Sequence, residues 1–177
     1  MTRLIIICGL SATGKTTLAN ELSKKLGIFC IHKDSIKESL FESLKLSTLE
    51  DSKKIGYPAV HVALDLAREN LQRGVDVILE SPFNYSDVGK VFETWKQQCE
   101  IDIFTIVLEL DEKLRKTRFE EREKGKERHH AHHDTDRLRM YEEKRADYEY
   151  MPLKKIFLNS DRPLENLIDD AVKFLAT

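Results

Sequence analysis

Apolar runs and helical stripes alternate along this chain. "LIIIC", residues 4–8, is a continuous apolar run that stops at Gly9, the pattern of a strand buried on both faces. Leu18, Leu22 and Leu26 then recur at every fourth position before Gly27, which predicts a helix from about Lys15 to Leu26 closed by a C-cap glycine. "IFCIH", 28–32, reads as a second strand, and Asp34 and Ser35 are N-cap candidates for a helix running into the 40s. Residues 43–57 are polar and weakly patterned and are assigned to no single element. "PAVHVALDLARENLQRG" predicts a helix with proline at its start and Gly74 past its end. Strands are expected at 75–81, 101–110 and 154–159, and helices at 86–99, 111–123, 135–150 and from 162 onward. Between the helices, "KGKERHHAHHD" lacks an apolar anchor and reads as a loop. Strands alternating with helices call for a parallel sheet covered on both faces, with right-handed crossovers.

Composition narrows the class without naming a function. A chain of 177 residues with 41% hydrophobic and 34% charged residues reads as one globular, soluble domain. The formal net charge of −2 gives no global pull toward nucleic acid or an anionic membrane. Three widely spaced cysteines, Cys8, Cys30 and Cys99, include no Cys-x-x-Cys pair and suit a reducing compartment. The first apolar run is too short for a membrane span and lacks the arrangement of a signal peptide, so a cytoplasmic protein is expected.

The loop after the first strand changes the picture. "GLSATGKT" fits G-x-x-x-x-G-K-S/T in full and lies between a predicted strand and a predicted helix, the context that pattern requires. Glycines let the backbone of Gly9, Leu10, Ser11, Ala12, Thr13 and Gly14 curl so that its N–H groups face phosphate oxygens. The helix start at Lys15, Thr16 and Thr17 adds unpaired N–H groups and the positive end of a dipole. Lys15 can reach the β- and γ-phosphates, and the Thr16 hydroxyl can ligate Mg²⁺. A nucleoside triphosphate is therefore the expected ligand, with ATP and Mg²⁺ as the expected pair.

The rest of the chain bears on what happens to the phosphate. No Asn-Lys-x-Asp or Asp-x-x-Gly segment of a GTPase occurs, and the chain is too short for a large motor or transporter ATPase. Strand, phosphate loop, "HKDS" after strand two, an acidic end to strand three, an arginine-rich helix and a basic lid follow one another. In that order they resemble the small P-loop kinases, the AAA_33-type group with its chloramphenicol phosphotransferase, gluconate kinase and polynucleotide-kinase relatives. The resemblance implies a three-layer α/β/α P-loop fold, a five-stranded parallel sheet in the order 2-3-1-4-5, a substrate-covering segment at about 35–60 and a lid at about 124–134.

It also implies roles. Asp34 lies just past strand two, where strand ends converge on the ligand crevice, and an Asp at this place takes the acceptor hydroxyl's proton in the kinases it resembles. A helix cap is its plainer use. Glu80, at the tip of an apolar strand, is expected to hold Mg²⁺ through water or to touch substrate. Ser81 and Asn84 on the next loop and Arg128 in the lid are candidate acceptor contacts. Arg118 and Arg122, four apart on one helix face, match the arginines that stabilise the transferred phosphoryl group. Arg162, after strand five, stands where small kinases hold adenine. The histidines 129, 130, 132 and 133 show no familiar zinc spacing, and a lid role is preferred for them. The expected activity is transfer of the γ-phosphate of ATP to a hydroxyl of a small molecule. A nucleoside, nucleotide or polynucleotide 5′-hydroxyl kinase is the alternative among enzymes, and a nucleotide-binding regulator with little catalysis the alternative outside them. Nucleic acid and membrane are not expected partners, and nothing in the sequence speaks to oligomeric state.

Overall fold

The structure, a computed structural model, describes residues 1–98, 100–125, 129–133, 148–152 and 154–177. Five parallel strands form one sheet in the order β2-β3-β1-β4-β5. They are β1 (Thr2–Gly9), β2 (Phe29–His32), β3 (Val77–Glu80), β4 (Ile101–Glu109) and β5 (Lys155–Asn159). The order is the one expected.

The central strand shows why its sequence has no polar alternation. Side chains of β1 point in turn to opposite faces, and both faces are covered. Leu4, Ile6 and Cys8 pack into one core with α4 (Gly56–Gln72) and α5 (Val88–Gln98). Ile5 and Ile7 pack into the other with α1 (Lys15–Leu26) and α7 (Leu164–Leu175). All five are fully buried, each worth about 1.5–3 kcal/mol of transfer energy for the large aliphatics. Burial pushes the Cys8 and Cys30 thiols up to about 12, so neither is ionised at neutral pH.

Helix boundaries refine the expectations in ways that matter for the site. α1 ends at Gly27, in the left-handed region at φ 66°, with its N–H on the Ser23 carbonyl. α2 (Lys33–Ser43) starts two or three residues earlier than N-caps at Asp34 or Ser35 would place it, with His32 at the N-cap and no side-chain cap. Asp34 and Ser35 therefore do not cap it; Asp34 lies in the first turn, where a carboxylate complements the dipole. Within the unassigned 43–57 stretch, Thr48 and Asp51 form a reciprocal capping box that starts the short α3 (Leu49–Lys54). α6 (Glu112–Gly125) follows β4, and residues His130–His132 form a 3₁₀ turn.

Most of the helix expected at 135–150 lies outside the described residues. Its expected end does not: 148–150 is a turn, and Tyr148 takes φ 53°. The Tyr148 and Tyr150 hydroxyls donate to the Pro82 and Phe83 carbonyls at 2.8 and 2.6 Å, which holds this turn against the loop after β3. Among the described residues, no helix is long and apolar enough to cross a membrane.

Candidate functional site

Parallel strands all end on one side of the sheet, and the loops leaving those ends build the site. β1 ends in Gly9, where φ is 140° and a Cβ would lie 2.4 Å from the Leu108 carbonyl oxygen of β4. Glycine is thus required both by backbone conformation and by contact with the neighbouring strand. Gly9→Ala is expected to lower the melting temperature on the order of 10 °C, read by circular dichroism. The loop then turns through Ala12 at φ 67° and Gly14 at φ 88° into the open N-terminus of α1. Thr13 Oγ1 and Lys15 Nζ both donate to the Leu10 carbonyl, at 2.9 and 2.8 Å, so one acceptor gathers the two ends of the curl. Lys15 is 7% exposed, an ammonium held inside its own loop.

The register of β1, β2 and β3 sets Ile7, Glu80 and His32 level with one another. His32 Nδ1 reaches Glu80 Oε2 at 3.1 Å while its Nε2 reaches Asn20 Oδ1 of α1 at 2.9 Å. Glu80, 3% exposed, is oriented by this ring. Asp34 meets Lys33 Nζ at 3.1 Å. One turn further along α2, Glu38 Oε1 lies 2.7 Å from Nε2 of the buried His132. On the opposite rim, Arg118 donates to the Ser160 carbonyl at 3.1 Å, and the Arg122 guanidinium lies 4.7 Å over the Phe119 ring.

Of these groups, Lys15, His32, Asp34, Glu38, Glu80, Arg118 and Arg122 line one cavity of about 470 Å³. Of the residues expected from sequence, Ser11, Ala12, Gly14, Lys15, Thr16, Thr17, Asp34, Glu80, Arg118 and Arg122 line it together. Gly9, Leu10 and Thr13 shape the loop from behind. Three candidates do not join them. Arg162 instead pairs with Asp170 of α7 at 2.8 Å, an ion pair within its own segment. Asn84 lies beyond the lining, and Ser81 is buried with its Oγ lacking a hydrogen-bond partner among the described residues. Arg128 lies outside the described residues.

His32, Ser35, Glu38 and Pro82 also line the cavity and were not singled out as site residues from sequence. His32 and Ser35 flank Asp34 in "HKDS", so that motif carried the signal. Glu38 carried none beyond its position four residues after Asp34.

The donor set fits the expected metal. The Thr16 hydroxyl and Glu80 carboxylate are hard oxygen donors of residues that line the cavity, the type Mg²⁺ takes alongside waters and phosphate oxygens. The lid histidines present a different grouping: Glu42, His129 and His130 bring three ligand atoms within 4.8 Å of one another. His129 Nδ1, however, accepts the Ala131 N–H at 3.1 Å, so its Nε2 carries the ring proton and donates toward Glu42 Oε1. That tautomer serves a hydrogen bond rather than a metal bond.

The AAA domain model of the AAA_33 family matches residues 4–145. The chain belongs to that family. Among curated proteins nothing matches the sequence. Solved structures similar to this AAA_33 chain include a candidate kinase from Chloroflexus aurantiacus j-10-fl, 24% identical, covering 98% of each chain with a TM-score of 0.81. A sugar kinase from Janibacter sp. HTCC2649 is 17% identical, covers 99% of this chain and 95% of its own, and has a TM-score of 0.63. The Mycobacterium tuberculosis APS kinase CysC, solved with AMPPNP and APS, is 18% identical, covers 99% and 98%, and has a TM-score of 0.60. This AAA_33 chain thus has the P-loop fold of structures described as kinases.

Proposed function

We propose that this protein transfers the γ-phosphate of ATP to a hydroxyl group of a small molecule. The observation that carries the reading is the convergence of Lys15, Thr16, Asp34, Glu80, Arg118 and Arg122 on one cavity. The loop N–H groups and Lys15 hold the phosphates, and Thr16 with Glu80 would hold Mg²⁺. That ion, when bound, neutralises charge on the β- and γ-phosphate oxygens. Asp34, on the wall facing the loop, accepts the acceptor hydroxyl's hydrogen bond, aligns the oxygen with the γ-phosphorus and takes its proton as the new O–P bond forms and the bond from the γ-phosphorus to the β–γ bridging oxygen breaks, releasing ADP. Phosphoryl transfer spreads charge over equatorial oxygens, and Arg118 and Arg122 face it from the far rim. The two arginines come from one helix, and the Ser160 carbonyl anchors the first of them.

A screen with γ-³²P-labelled ATP over sugars, nucleosides, amino-sugar antibiotics and 5′-hydroxyl oligonucleotides tests this. The expected result is a labelled phosphomonoester from at least one small alcohol. Label released only as inorganic phosphate under every condition would overturn it. Tight ATP-dependent binding of a protein partner would then favour a regulator.

A further inference from the structure

His32 stands where a shorter polar residue would do more for its own helix. It is the N-cap of α2, a place where Ser, Thr, Asn or Asp would satisfy one of the open N–H groups, yet its side chain makes no cap hydrogen bond. The half-buried ring turns to neighbouring elements instead. Nδ1 lies 3.1 Å from Glu80 Oε2 on β3, Nε2 lies 2.9 Å from Asn20 Oδ1 on α1, and the Cys30 thiol is 4.0 Å from Nδ1. Burial keeps that thiol protonated, so the Glu80 carboxylate is the anion that Nδ1 faces. An ionised carboxylate only accepts, so Nδ1 carries a proton and donates to it. The Asn20 amide has an acceptor at one end and donors at the other, and so meets Nε2 of a charged or a neutral ring alike. Glu80 is buried at the end of its strand, and among the described residues this ring is what holds its carboxylate.

We propose that His32 is a positioning residue for Glu80: its Nδ1–H fixes the carboxylate that would hold Mg²⁺, and Asn20 fixes the ring. The inference rests on the metal role given to Glu80 above. An untethered glutamate samples several rotamers and loses that freedom when it binds an ion, a cost the ring removes in advance. The ring occupies Oε2 and leaves Oε1 to the ion or to its water. Asn20 adds a second constraint. It stands four residues after Thr16 on α1, so the two share a helix face. Asn20, His32 and Glu80 therefore refer the carboxylate's position to the same helix that carries the Thr16 hydroxyl. Both oxygen donors of the expected metal site are set from one rigid element.

The test reads metal binding apart from turnover. Calorimetry gives the affinity for AMPPNP with Mn²⁺, which takes the same oxygen donors as Mg²⁺, and again with EDTA; the ratio of the two isolates the metal's share. His32→Leu is expected to lower that ratio about tenfold or more, with the EDTA affinity near that of the wild type. His32→Asn, whose amide NH₂ stands near the place of Nδ1, is expected to keep most of the ratio. His32→Gln, whose amide stands near the place of Nε2, is expected to lose it. Glu80→Gln is expected to lower the ratio at least as far as His32→Leu, and the double variant no further than Glu80→Gln alone, since His32 acts through that carboxylate. Equal losses with Mn²⁺ and with EDTA would mark a merely structural ring and overturn the proposal, as would two losses that add in the double variant. Where His32→Leu does not fold, a His32→Gln protein matching His32→Asn overturns it. A ratio lowered by Glu80→Gln but not by His32→Leu overturns the positioning and leaves the metal role of Glu80 standing; a ratio unmoved by Glu80→Gln overturns both. A His32-dependent ratio in a protein that labels no alcohol would uphold the positioning and sink the transfer reading.

Discussion

Lys15→Ala is expected to abolish turnover, lowering kcat by about a thousandfold or more. The reason lies in where the ammonium is held. Lys15 is the first residue of α1, and its side chain lies back over the loop with Nζ 2.8 Å from the Leu10 carbonyl. Its charge therefore sits within the curl of the loop, shielded from water, where a unit charge counts for far more than at the surface. Removing it leaves the backbone curl in place, because Gly9, Ala12 and Gly14 define that curl through their own dihedral angles. The variant should fold, with thermal unfolding near the wild type, and should bind a fluorescent ATP analogue weakly. Substantial turnover by a folded Lys15→Ala protein would mean that the loop does not hold the reacting phosphate.

Asp34→Asn is expected to separate binding from transfer. The amide keeps the size of the side chain and can still meet an acceptor hydroxyl, but it cannot take up the proton. A drop in kcat of about a hundredfold to ten-thousandfold follows for loss of a general base, with the affinity for ATP nearly unchanged. Helix capping cannot account for such a loss, since α2 begins at Lys33 and Asp34 lies inside its first turn. Asparagine there would forfeit the dipole contribution of about 0.3–1 kcal/mol and the ion pair with Lys33. A variant with full activity, measured against the best acceptor of the screen, would remove Asp34 from the chemistry.

Much of this was legible in the sequence because it is local. A strand buried on both faces announces itself as an unbroken apolar run, as 4–8 does, and the phosphate loop is specified by residues within one short segment. Asp34 and Glu80 could be placed because each closely follows or ends such a run, and strand ends converge in a parallel sheet. The arginine pair could be placed because positions four apart share a helix face. What stayed hidden was pairing at long range. Nothing near His32 indicates that its ring bridges Asn20 and Glu80, because that contact depends on the register of β2 against β3. Glu38 looked like one more acid on a charged helix until the fold brought His132 beside it. Arg162 shows the complementary case: position after strand five suggested a ligand, and the fold sets its guanidinium against Asp170 of α7. The Thr48–Asp51 capping box, by contrast, was present in the sequence but masked by the weak hydrophobic pattern around it.

The buried chain from Lys37 through Ser52 to the Ala131 carbonyl has a consequence for engineering. It ties α2, α3 and the 129–133 segment to one another through a polar cluster closed to water. Grafting α2 alone onto a related scaffold would bring in a buried ammonium without the hydroxyl and carbonyl that accommodate it, a mismatch costing several kcal/mol. The cavity wall made by α2 is therefore portable only together with α3 and the 129–133 segment. By the same logic, neutral drift at Ser52 is closed off unless position 37 changes with it, so the two sites should vary together across descendants of this sequence.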